Sequence, residues 1–124
     1  MSFRELTVYK KAFGLAMDIF EMTKQFPKEE TYSLTDQIRR SSRSVCSTIG
    51  EGYRKRQYPK HFVSKVSDAD MENQVWLDFA KSCGYLREIE SLELQDKSEE
   101  VGRLLNHMIS YPEKYLPKSG KDRG

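Results

Sequence analysis

Few of the residues that announce a chemistry are present. Two cysteines, Cys46 and Cys83, stand 37 residues apart, form no Cys-x-x-Cys pair and match no metal-ligand cluster. His61 and His107 lack the His-x-x-x-His and His-Glu-x-x-His contexts of helical zinc sites. No phosphate-cradling loop occurs, because Gly50-Glu51-Gly52 has neither the length nor the lysine of one. No stretch approaches the ~20 apolar residues of a membrane span, and the opening Met1-Ser2-Phe3-Arg4-Glu5 has no signal-peptide apolar run. These absences point to a cytoplasmic chain with reduced thiols, no metal or other cofactor, and no membrane partner. Asn-Gly and Asp-Gly hairpin turns are also missing, and period-two runs are short, so strands have little support.

What is present is charge. Of 124 residues 37% are hydrophobic and 32% charged, against typical values of about 45–50% and about 25%. The length suits one domain with one core. A chain of this composition folds best as helices with narrow apolar stripes and a very polar exterior.

Heptad-like spacing occurs in four segments. The first runs from Leu6 to Gln25 on the stripe Leu6, Tyr9, Phe13, Ala16, Phe20, widened by Ala12 and Ile19, and Pro27 stops it. The second runs from Glu30 to Gly52, its expected C-terminal cap. Its seam is Leu34, Ile38, Ser41, Val45, Thr48, beside Ser42 and Ile49. The third begins near Pro59 and runs to Cys83, with Gly84 as cap. Its seam, Phe62, Val66, Ala69, Asn73, Trp76, Ala80, Cys83, steps by four and three without a slip. Asn73, the polar member, is expected to fix register. The fourth is expected to start near the N-cap Ser91 and to follow Leu94, Ser98, Val101, Leu105 and Met108, with Leu104 and Ile109 beside them, until Pro112. Short connections imply antiparallel neighbours. The expected fold is all-α, an antiparallel up-down-up-down four-helix bundle over residues 1–116, with a flexible basic tail at 117–124.

The net charge of +2 conceals a dipole. From Arg39 to Lys65, eight basic residues (Arg39, Arg40, Arg43, Arg54, Lys55, Arg56, Lys60, Lys65) face one acid, Glu51, a net of +7. From Val66 to Tyr111, ten acids and four bases leave −6. Arg39, Arg40 and Arg43 share one helix face, and Tyr53, Tyr58, His61 and Phe62 are interleaved with the cations. Cations neutralise phosphates and exposed rings stack on unpaired bases, so these eight residues are the candidate nucleic-acid contacts. The alternative is a solvated face whose cations pair with acids of the third and fourth segments, within the chain or on another copy. Phe62 belongs to the seam, which argues against stacking there.

The remaining candidates read as structural. Glu51 lies near a helix C-terminus, where an anion needs a cation, and Arg54 or Lys55 is close. Asp68, Asp70 and Glu72 could hold a cation but more simply form a solvated face or salt bridges. Asp36 sits four residues before Arg40 and supports the helix. Cys46 is a small core residue whose pKa Arg43 could lower. Trp76 anchors a core or a subunit interface. No paired catalytic groups occur, so an enzyme is not expected.

With the segments placed, the chain resembles the bacterial four-helix bundle proteins encoded in intervening sequences of large-subunit ribosomal RNA genes. That family is similar in turn to the accessory variability determinant of diversity-generating retroelements. The resemblance spans about residues 3 to 111 and is carried by Phe3-Arg4-Glu5-Leu6, Val8-Tyr9-Lys10-Lys11-Ala12, Phe26-Pro27-Lys28-Glu29-Glu30 and Ala80-Lys81-Ser82-Cys83-Gly84-Tyr85-Leu86. Its strongest stretch is Leu34-Thr35-Asp36-Gln37-Ile38-Arg39-Arg40-Ser41, running on to Ser44-Val45 and Ile49-Gly50-Glu51-Gly52. The chain departs from the family's usual Asn-Ile-Ala-Glu-Gly at Thr48-Ile49-Gly50-Glu51-Gly52, and from its usual Gly-Ser-Leu at Asp68-Ala69-Asp70, while Glu72 matches. The resemblance implies a homopentameric barrel without catalytic residues. For the retroelement relatives it implies an accessory role, contacting nucleic acid and a reverse transcriptase through a basic surface. Arg39 and Arg40 match that basic helix by position; Lys55 and Arg56 match only by charge and location.

Overall fold

Why these segments become helices and where each stops is visible at their ends. The computed structural model describes residues 2–55, 59–111 and 114. Four helices carry the fold: α1 (Thr7–Thr23), α2 (Leu34–Lys55), α3 (Pro59–Ser82) and α4 (Glu88–Ser110). Single 3-10 turns, Phe3–Glu5 and Lys28–Glu30, precede α1 and α2, and no strand occurs among the described residues. The Glu30 carboxylate accepts the Leu34 N–H at 3.3 Å and the Tyr85 hydroxyl at 2.7 Å, tying the start of α2 to the α3–α4 connection. The Tyr85 bond, with the Leu34 amide, lowers the Glu30 pKa. The same bond to Glu30 is the main cause that pushes the Tyr85 phenol up to about 12.

Three expected boundaries move. α2 starts at Leu34, not at Glu30, which instead closes the preceding 3-10 turn. Gly52 does not end α2; it is buried inside a helix that continues to Lys55. Ser91 does not start α4, which begins at Glu88. There Glu90 replaces the expected cap by accepting the Arg87 N–H at 2.8 Å, the main cause lowering its own pKa. Gly84 holds its expected place after α3 at φ +79°, a left-handed conformation that a Cβ disfavours. Gly84→Ala should cost about 1–2 kcal/mol of stability in urea unfolding, and a neutral result would mean the turn relaxes freely.

Consecutive helices run antiparallel. Three residues separate α2 from α3, far too few to return along a 22-residue helix of about 33 Å. Arg39 near the start of α2 reaches Thr23 at the end of α1, while a Cβ at Gly50, late in α2, would lie 3.3 Å from the Phe3 ring ahead of α1. A glycine at this position thus leaves room for that ring. Lys11 bonds Glu100 at 3.4 Å and Lys97 bonds Asp18, so α4 closes antiparallel on α1. The result is the expected up-down-up-down bundle.

The core falls into two apolar halves. One gathers Ala12, Val45, Ile49, Val66, Val101 and Leu105; the other gathers Ile19, Ile38, Leu77, Ala80 and Leu94. Between them along α2, α3 and α4 stand Ser41, Ser42, Asp70, Asn73 and Ser98, all buried. The Ser41 hydroxyl donates to Asn73 Oδ1 at 3.2 Å, and the Ser98 hydroxyl donates to Asp70 Oδ1 at 2.8 Å. Asn73 Nδ2 is buried without a hydrogen-bond partner, a cost consistent with a residue kept for register.

The seams of α2 and α4 bury as expected except at Thr48, which is half-buried, but two features differ. On α1 the buried stripe is Val8, Ala12, Leu15, Ile19 and Thr23, and Phe13 is 50% exposed. The expected aromatic stripe lies to the side of the core, because Val8, Ala12, Leu15 and Ile19 form a second stripe at the same 3- and 4-residue spacing and take the inward face. On α3 Asp70 is 3% exposed, not on a solvated face with Asp68 and Glu72. Cys83 is exposed, not a seam residue.

Candidate nucleic-acid interface

The exposed side of α2 is built by helical arithmetic. At 3.6 residues per turn, Arg40, Arg43 and Arg54 fall within roughly 60° of the helix circumference and span about 21 Å. All three are exposed. Arg40 pairs with Asp36 at 3.6 Å in an exposed i, i+4 bridge, the support anticipated from the spacing. Such a bridge is worth only about 0.3–0.5 kcal/mol and yields readily to another anion. No carboxylate among the described residues pairs with Arg43, Arg54 or Lys65.

Arg39 is different. Its Nε donates to Thr23 Oγ1 at 2.8 Å, one terminal nitrogen donates to the Phe20 carbonyl at 3.4 Å, and the guanidinium lies 4.8 Å from the Phe20 ring centroid. It satisfies the C-terminal end of α1, where a cation is favoured, and is half-buried. Lys65 is exposed on α3. Arg56, Tyr58 and the tail at 117–124 lie outside the described residues, as do the side chains of Lys55, Lys60, His61, Phe62 and Ile109.

The rings come from an unexpected place. Tyr53 is buried in the core and offers no stacking face. Instead, Phe3, Tyr9, Phe13 and Phe20 line a groove of about 760 Å³ between α1 and α2, with Arg43 and Arg54 on its α2 wall. Tyr9 sits 5.1 Å from Phe3, edge-on, and 5.9 Å from Phe13, centroid to centroid. Arg4 lies 4.5 Å over the Phe3 ring. Glu51 shares the wall and has a partner of its own. The aromatic steps of α1 were legible; that they face a groove depends on rotation about the helix axis, which the 3- and 4-residue spacing leaves open over about 100°.

Other candidates resolve as structure. Burial pushes the Cys46 thiol up to about 11, the reverse of activation by Arg43. The Trp76 indole donates to Glu72 at 3.2 Å. The two cysteines are free, and no cluster of three or more His, Cys, Asp or Glu among the described residues could hold a metal. No helix among the described residues is long and apolar enough to cross a membrane.

These observations define a four-helix bundle that displays an arginine-bearing aromatic groove. The chain belongs to the 23S rRNA-intervening sequence protein family, whose model matches residues 4–107. No curated protein matches it.

Proposed function

We propose that this protein is a non-enzymatic, self-assembling helical bundle that binds RNA or DNA as an accessory or scaffold. The carrying observation is the outward stripe of Arg40, Arg43 and Arg54 along α2, two of them without a carboxylate partner among the described residues. Lys65 extends the positive field, and Lys55, Arg56 and Lys60 add charge in the same stretch of sequence. Self-assembly into a closed ring, a pentamer by family resemblance, would repeat the stripe on every copy and turn modest contacts into a multivalent surface. An exposed apolar strip on α3, Met71, Val75 and Phe79, supports assembly, since strips of this kind mark contact surfaces.

Filter binding of an RNA and a DNA probe at two salt concentrations tests the reading. Retention should fall steeply with salt, and Arg40→Ala/Arg43→Ala/Arg54→Ala should weaken binding similarly for all sequences, with the log–log salt slope reduced by about 2–3. Salt-insensitive or absent retention removes it. A second reading pairs the cations with the acidic α3–α4 half of a neighbouring copy. Loss of oligomeric mass in the triple variant, with a parent that retains no probe, would favour that reading.

A further inference from the structure

We infer that the groove between α1 and α2 is a site for a single strand of nucleic acid, with bases stacking on α1 rings and phosphates meeting α2 arginines. This rests on the nucleic-acid reading above and narrows it from charge alone to unpaired strands at one place. Phosphate attraction by itself does not discriminate a duplex from a strand; exposed ring faces do, because only unpaired bases offer theirs.

Three independent features converge. The first is the wall of rings. Tyr9, Phe13 and Phe20 follow one side of α1 over eleven residues, about 16 Å of helix. At ~3.4 Å per stacked nucleotide this length covers roughly four or five, the lower end of the ~4–16 taken by single-strand-binding folds. The second is exposure without a structural reason. Phe13 is half exposed in a helix that buries Ile19 completely, so its ring serves no core contact of comparable weight. The third is charge complementarity. Arg43 and Arg54 stand on the opposite wall with no carboxylate partner among the described residues, placed to meet phosphates of a strand whose bases face α1. Phe20 at the far end is already engaged by the Arg39 guanidinium at 4.8 Å and the Lys24 ammonium at 4.9 Å, which leaves Tyr9 and Phe13 as the rings that take bases. A groove of about 760 Å³ falls within the roughly 300–1,000 Å³ of ordinary ligand clefts.

The test is fluorescence anisotropy on the full chain. Probes are labelled oligouridylate and oligothymidylate of about 12 nucleotides, and the same thymidylate annealed to oligoadenylate. Both single strands should bind more tightly than the duplex. Phe13→Ser should weaken single-strand binding about tenfold while changing duplex binding by less than about twofold, and Phe13→Trp should retain it. Light scattering and circular dichroism on each variant should show parental mass and helix content. Equal binding of strand and duplex, unmoved by Phe13→Ser, overturns the groove assignment and leaves phosphate binding by α2 standing. Absence of binding to every probe overturns both. A changed oligomeric mass in Phe13→Ser would make the groove a contact between copies and also overturns the assignment.

Discussion

Ile19→Ala is expected to destabilise the bundle by about 2–5 kcal/mol, whereas Phe13→Ala, which removes a larger side chain from the same helix, should change stability by no more than about 0.5 kcal/mol. Ile19 is fully buried in the second apolar cluster, and its truncation leaves a cavity between α1 and its neighbours. Phe13→Ala loses a half-exposed ring that packs against Tyr9 one turn earlier on the same side of α1. In thermal unfolding the first variant should melt about 10 °C or more below the parent, and the second close to it. Reversed effects would mean that α1 is rotated and that the aromatic stripe is its core face after all. The groove, and what it binds, would then disappear with it.

Asp70→Asn is expected to raise stability at pH 7 by about 1 kcal/mol or more, some 3–6 °C in melting temperature. Asp70 is buried on α3 against Ser98 and Gly102 of α4, and a Cβ at Gly102 would lie 3.3 Å from Asp70 Oδ2. Its oxygens accept from the Ser98 hydroxyl and the Gln74 amide, but no cation among the described residues reaches them. Burial raises its pKa, and the two hydrogen bonds only partly oppose the shift. An acid whose folded pKa is raised stabilises the fold fully below its unfolded value of about 3.9 and loses that contribution as pH rises through the folded value. The neutral amide has nothing to lose over that range. It keeps an oxygen for Ser98, and Gln74 can turn its own amide to accept from the new Nδ2. The stability gap between variant and parent should therefore open with rising pH and close toward pH 3. A variant less stable than the parent at neutral pH would show that the charge itself is required there.

Much of the architecture was legible from residue spacing. The seams of α2 and α4 were readable because their apolar residues stand alone against polar neighbours, as with Leu94, Val101 and Leu105 among acids. Pro59 and Gly84 marked the ends of α3 for local backbone reasons that need no tertiary partner. Arg43, Arg54 and Lys65 were readable as exposed cations for the same reason. Ser91 misled because N-caps are competitive: the helix start moves when a nearby carboxylate, here Glu90, offers the backbone N–H a better acceptor. Gly52 misled because a glycine ends a helix where it turns left-handed, and among the described glycines Gly84 does so while Gly52 stays helical.

Sequence by itself determined the number of helices, their antiparallel order, the acidic and basic halves and the family. These follow from periodicity, loop length and charge, all properties of neighbours along the chain. Only the tertiary structure decided which side of α1 faces inward, that Arg39 is occupied at the end of α1, and that Asp70 is buried. Each depends on where another helix stands: Phe20 and Thr23 for Arg39, Ser98 and Gly102 for Asp70, the Phe3 ring against Gly50 for the lie of α1. A helix with apolar residues on more than one stripe can bury either, and the choice is made by the partner that fits it.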